Sequence, residues 1–240
     1  MIESARKIRG ESDRDTALAG GTVFRVRPSV RGIRAMIKSL LAHLGLISFR
    51  EARWLEKRHV QNCRVVQTRT ALLEECLPKE GIVAEVGTQY GHFAKEILHT
   101  TRPKELHLID LSFDLLETAH FADAINGGQV RLHQSDSVHA LTQFPDHYFD
   151  WIYIDGDHTY QGVKRDIAVS TRKVKPDGFL AFNDYTYWSP VELMEYGVVH
   201  AVNELCIDGG YEILFFVFNN LMYCDVVLRK IGHISARQSL

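Results

Sequence analysis

From Gly81 onward, short apolar runs alternate with longer amphipathic stretches along the chain. The runs fall at 82–86, 105–110, 128–133, 149–155 and 178–183, with helical patterns between them near 91–100, 113–124, 159–173 and 190–207. Helices between them suit right-handed crossovers that link parallel neighbours. The pattern predicts an α/β fold whose ligand crevice lies beyond the C-terminal ends of the strands. The tail reads differently. Tyr211 to Phe218 and Leu221 to Leu228 are two apolar runs separated by Asn219-Asn220, a pair suited to a tight turn, which predicts an antiparallel hairpin.

Before Gly81 the texture is helical. The first 20 to 25 residues are polar and small and predict a loose arm, 1–25. Over 30–47, Ile33, Ile37, Leu40, Leu41, Leu44 and Ile47 recur at three- and four-residue spacing, the signature of an amphipathic helix with its basic residues on the other face. A second helical stretch is expected from Phe49 to Leu77, ended by Pro78. The organisation expected is therefore a flexible arm (1–25), a helical extension (26–78) and one α/β domain (79–240). An exposed apolar helix over 30–47 would suit a homodimer.

Charge adds one feature. The net charge of −2 points to no polyanionic partner, yet residues 22–70 hold eleven Lys or Arg against only Glu51 and Glu56, a local +9. Such a segment can meet phosphate, nucleic acid or an acidic surface, or lie on the chain's own acidic body or in a dimer contact. Cys63, Cys76, Cys206 and Cys224 form no C-x-x-C and read as reduced thiols, which predicts a cytoplasmic location. Met1 to Gly20 is charged and lacks the apolar core of a secretory signal. No run approaches the ~18 apolar residues of a membrane span.

Candidate chemistry gathers at the predicted strand ends. The first strand runs into Glu85-Val86-Gly87-Thr88-Gln89-Tyr90-Gly91, where the two glycines permit a tight turn and a close backbone approach to a ligand. The loop is neither the G-x-G-x-x-G of dinucleotide binders nor a phosphate loop with Gly-Lys-Ser/Thr. The second strand ends in Asp110, placed to accept hydrogen bonds from ribose hydroxyls. The third is followed by Gln134-Ser135-Asp136-Ser137, where a side chain could meet an adenine amino group or cap a helix. The fourth reads into Asp155-Gly156-Asp157-His158-Thr159-Tyr160, and the fifth ends in Asn183-Asp184-Tyr185. Neighbouring parallel strands lie about 4.8 Å apart, so Asp155, Asn183 and Asp184 could converge as hard oxygen ligands suited to Mg²⁺. Asp157 is expected to cap the helix near Thr159. Tyr185, Tyr187 and Trp188 would either wall an acceptor pocket or simply pack. The other eleven histidines show no H-x-x-x-H, so a zinc site is not expected.

With these residues in register, Gly81 to Leu228 resembles the class I S-adenosylmethionine-dependent methyltransferases. The resemblance implies a Rossmann-like, seven-stranded, mostly parallel sheet of order 3-2-1-4-5-7-6 with strand 7 antiparallel, after N-terminal helices. It also implies that the loop from Glu85 through Gly87, Thr88, Tyr90 and Gly91 cradles the methionine part of S-adenosylmethionine. Asp110 would hold the ribose, with Asp136 and Ser137 by the adenine. The Asp-Gly-Asp-His-x-Tyr run is similar to that of the metal-dependent O-methyltransferases of the macrocin and catechol type. This implies a Mg²⁺ site at Asp155, Asn183 and Asp184 and a general base at His158. The Asn183-Asp184 order departs from the acidic pair and from the Asp-Asn order of those relatives. The reaction expected is methylation of a hydroxyl on a small sugar-bearing or phenolic acceptor. Metal-independent methylation of nitrogen or RNA ranks below it, since no Asn-Pro-Pro-Tyr-like motif for base methylation is present; a non-catalytic binding module is a third reading.

Overall fold

The computed structural model describes residues 51–219 and 223–232, together with Ile33, Met36, Ile37, Ser39 and Leu40. Eight strands form one sheet: β1 (Arg64–Val66), β2 (Ile82–Val86), β3 (Glu105–Asp110), β4 (Val130–Gln134), β5 (Phe149–Ile154), β6 (Val174–Phe182), β9 (Tyr211–Val217) and β10 (Asp225–Lys230). The pair β7 (Trp188–Ser189) and β8 (Met194–Glu195) forms a separate small hairpin. The order in the large sheet is β1-β9-β10-β6-β5-β2-β3-β4. Only β10 runs antiparallel, against both β9 and β6. Counted from β2, this is the expected order 3-2-1-4-5-7-6 with a reversed last strand.

The strands read as unbroken apolar runs because both faces of the sheet are covered. Successive side chains on a strand point to opposite faces. Val83, Trp151, Tyr153, Phe179 and Ala181 enter one buried cluster with Leu72, Leu73, Ile97 and Phe121. Their neighbours Ala84, Ile152, Ile154, Leu180 and Phe182 enter the other, against Val163, Ile167, Ala201 and Val202. Helices α1 (His92–Thr101), α2 (Ala122–Asn126), α3 (Ser137–Thr142), α4 (Tyr160–Lys173) and α5 (Val198–Gly209) supply these layers. Helix α4 begins where the Thr159 side chain accepts the Gly162 N–H and ends on Arg172 and Lys173, which favour the negative end of the helix dipole.

Several expectations change. The stretch Phe49 to Leu77 is not one helix. Its described part holds a 3₁₀ turn (Lys57–His59), strand β1, a helical turn (Arg69–Ala71) and a π-turn (Leu72–Cys76). Strand β1 pairs in parallel with β9 and adds an eighth strand at the sheet edge. The helical pattern of 113–124 condenses to Thr118–His120 and α2, and the helix of 190–207 begins only at Val198, after the β7–β8 hairpin. Asp157 is not the cap of α4; its side chain instead accepts the N–H of Thr159, which is the cap. Of the helix expected over 30–47, the five described residues are helical and exposed. The remainder of that helix, the arm 1–25 and Asn220 of the expected turn lie outside the described residues.

Candidate active site

The sheet's C-terminal edge holds a cavity of about 690 Å³. Its floor is the loop between β2 and α1. Gly87 has φ +84°, and a Cβ there would overlap the Asp155 carbonyl. Gly91 has φ +80°, and a Cβ there would fall on Leu116 and Phe121. Both positions need glycine for conformation and for space. Asp110, at the end of β3, pins this loop by accepting the N–H groups of Thr88 (2.8 Å) and Gln89 (2.9 Å) on Oδ2. Glu85, Thr88, Tyr90, Asp136 and Ser137 also line the cavity. Of the residues expected at the cofactor, all but Gly91 line this cavity; Gly91 packs against Leu116 and Phe121 at the start of α1. Asp136 additionally caps α3, accepting from Val138 N–H at 3.0 Å.

Glu85 Oε2 and Thr88 Oγ1 are buried with no partner at full hydrogen-bond geometry, although the Thr88 hydroxyl lies close enough to the Glu85 carboxylate to favour its charged form. Burial, with the charge of Asp155 nearby, holds the Glu85 carboxyl well above its ordinary pKa. A buried carboxyl of this kind suits a ligand that brings positive charge or N–H donors.

The other half of the cavity is built from the ends of β5 and β6. Three oxygens surround His158 Nε2: Asn183 Oδ1 at 3.3 Å, Asp155 Oδ1 at 3.5 Å and Asp184 Oδ2 at 3.7 Å. The imidazole stacks on Tyr196, with ring centroids 4.5 Å apart and planes 14° apart, which fixes the ring plane. Burial opposes charging His158, but the hydrogen bond and charge of Asp155, aided by Asp184, outweigh it and raise the pKa. Burial raises Asp155 as well and pushes Asp184 up to about 6. Among the described residues no three His, Cys, Asp or Glu side chains are arranged to hold a metal ion. The oxygens of Asp155, Asn183 and Asp184 meet instead around the His158 nitrogen.

A buried network behind this cluster escaped the sequence reading. Arg69 donates from Nε (2.7 Å) and Nη2 (3.0 Å) to the two oxygens of Asp225, and lies 3.7 Å from Asp184. Tyr153 donates its hydroxyl to Asp225 at 2.9 Å, and Asn183 donates its amide to the Tyr153 oxygen at 3.0 Å. The Asn183 amide is thereby turned so that Oδ1 faces His158. An aspartate at 183 would face Asp225 with like charge, which gives a reason for the departure from an acidic pair. The sequence signals were faint: an acid inside an apolar strand for Asp225, one of eleven basic residues for Arg69. Phe93, Glu192, Arg165 and Asp166 also line the cavity without having been singled out. Tyr185 does not join them; its hydroxyl is spent on Asn203 at 2.6 Å.

Comparison with solved structures supports the fold. The chain superposes on the pyocyanin biosynthetic protein PhzM with a TM-score of 0.52 and 16% identity, over 67% of this chain and 53% of that one. It therefore spans only about half the length of that protein. A Corynebacterium glutamicum protein gives 0.53 and 13% over 88% and 94% of the two chains. An O-methyltransferase family protein from Burkholderia thailandensis gives 0.50 and 13% over 68% and 56%. No curated protein matches the chain. Residues 84–185, from the middle of β2 to the turn beyond β6, match the family model of a methyltransferase domain.

Proposed function

We propose that the chain transfers a methyl group from S-adenosylmethionine to a hydroxyl of a small polyhydroxylated or phenolic acceptor. The observation that carries this reading is the cluster Asp155, His158, Asn183 and Asp184 in the same cavity as the Asp110-pinned glycine loop. The matched methyltransferase domain includes all of these residues except the ends of the network behind them. The buried Glu85 Oε2 and Thr88 Oγ1 fit a ligand with a sulfonium and an ammonium group.

In this reading Glu85, Gly87, Thr88, Tyr90 and Gly91 hold the methionine part of the donor, Asp110 the ribose, and Asp136 and Ser137 the adenine end. A hydroxyl is a poor nucleophile until its proton leaves. His158 takes that proton at Nε2, and Asp155 and Asp184 stabilise the imidazolium that forms. Tyr196 keeps the ring in plane, and the Arg69–Asp225–Tyr153 network keeps Asn183 Oδ1 turned toward it. Two carboxylates and an amide oxygen are the donor types a hard cation takes, so Asp155, Asn183 and Asp184 are the residues that would hold Mg²⁺, once turned from His158 Nε2, around which their oxygens now lie. When bound, Mg²⁺ would lower the acceptor hydroxyl pKa and help to orient it.

S-adenosylhomocysteine release over a panel of catechols and glycosides tests this. Asp155→Ala and Asp184→Ala should each lower turnover by at least about 100-fold, with the affinity for S-adenosylhomocysteine changed by no more than a few-fold. Loss of donor affinity in both variants would count against the division of roles. The competing reading is metal-independent transfer, favoured by the positions of His158 and Arg69, which already place positive charge among the carboxylates. Full activity in excess EDTA would decide for it.

A further inference from the structure

We infer that Asp166 reads the 6-amino group of the donor's adenine and so sets a preference for an aminopurine over a 6-oxopurine nucleoside. This rests on the S-adenosylmethionine reading above and extends it to a residue on α4.

Helix α4 turns Val163, Asp166, Ile167 and Ser170 inward at helical spacing, and all four are buried. A carboxylate in such a stripe is costly unless donors surround it. Asp166 is 4% exposed, and the Ser137 hydroxyl donates to its Oδ1 at 2.5 Å. Its other oxygen, Oδ2, has no hydrogen-bond partner among the described residues. It faces Gly156, where a Cβ would lie 3.6 Å from it, so the glycine leaves the approach open. Asp166, Ser137, Gly156 and Gly162 line the same cavity as Asp110. Burial pushes the carboxyl up to about 6, as expected for an acid one donor short.

Asp136, the acid nearer the end of β4, is less well placed for this role. It is exposed, and its Oδ1 already accepts the Val138 and His139 N–H groups. A nucleoside anchored by its ribose at Asp110 and extended toward the seam of α3 and α4 would bring its base edge to Asp166. The exocyclic amino group of adenine supplies the donor that Oδ2 lacks. A 6-oxopurine would instead set a carbonyl oxygen against the carboxylate.

Isothermal titration with S-adenosylhomocysteine and its deaminated counterpart, S-inosylhomocysteine, tests this without an acceptor. The wild type should prefer the adenosyl compound by roughly 30-fold or more, since a hydrogen bond to a charged group is at stake. Asp166→Asn, whose amide can present either group, should narrow the preference to within about 3-fold. Equal affinity of the wild type for the two compounds overturns the inference, whether or not the variant folds. So does an unchanged preference in a folded Asp166→Asn. If the wild type binds neither compound, the donor reading itself fails and takes the inference with it.

Discussion

His107 shows what burial does to one side chain. It is fully buried between His133 (2.9 Å) and Glu105 (3.0 Å), and burial holds its pKa at about 4, below the ordinary 6.5. The folded chain therefore refuses a proton that the unfolded chain accepts. Above pH 6.5 this costs nothing; as pH falls from 6.5 toward 4, stability is lost. Between pH 7 and pH 5 the loss should be roughly 2 kcal/mol. Urea unfolding at the two pH values would measure it, and His107→Gln should remove that part of the difference. At the same scale, Gly87→Ala should abolish donor binding, because the new methyl must displace the Asp155 carbonyl from a backbone already at positive φ. Gly87, Asp110, Asp155 and His158 were legible in the sequence because each sits where an apolar run stops. Asp166 and Asp225 were not, because each interrupts an apolar pattern at a point where only packing reveals which partner it meets.

Among the elements, the long ones were legible and the short ones were not. The inner strands bury both faces and read as unbroken apolar runs, and α4 carries its helical period in the sequence, although its cap is Thr159 rather than the expected Asp157. Strand β1, with three residues, and the single helical and π-turns after it are too short for any period to show. That segment nonetheless delivers Arg69 to Asp225. Asp225 is 1% exposed, so Arg69→Ala would leave a buried carboxylate without its cation. The expected cost is about 3–5 kcal/mol, while adding Asp225→Asn should recover a large part of it. A double-mutant cycle by chemical unfolding checks this. If the two losses simply add, the pair is not the unit described here.

For the molecule as a whole, sheet order and cavity position were legible because the alternation of strand and helix leaves few topologies. The Tyr185–Gly197 segment with its β7–β8 hairpin, whose Glu192 and Tyr196 line the cavity, reads in part as the start of a helix over 190–207, which begins only at Val198. A donor bound across the loop should stabilise the entire fold. At a hundredfold excess over its Kd, S-adenosylhomocysteine should add about 2.7 kcal/mol, read as a rise in melting temperature of roughly 5–10 °C. Asp110→Ala, which unpins the loop, should erase that rise, and a rise that survives in the variant would place the ligand elsewhere.

The ion pair between Arg69 and Asp225 joins positions 156 residues apart. During synthesis, Asp155, Asn183 and Asp184 leave the ribosome well before the last strand that supplies Asp225. Until that strand slots between β6 and β9, Tyr153 and Asn183 lack the acceptor that orients them. Site assembly is therefore a late event in the life of each molecule, limited by the closure of one very long loop. A nascent chain stalled before Asp225 would have most of its β2–α1 loop in place and the Asp155, His158, Asn183 and Asp184 cluster still unset.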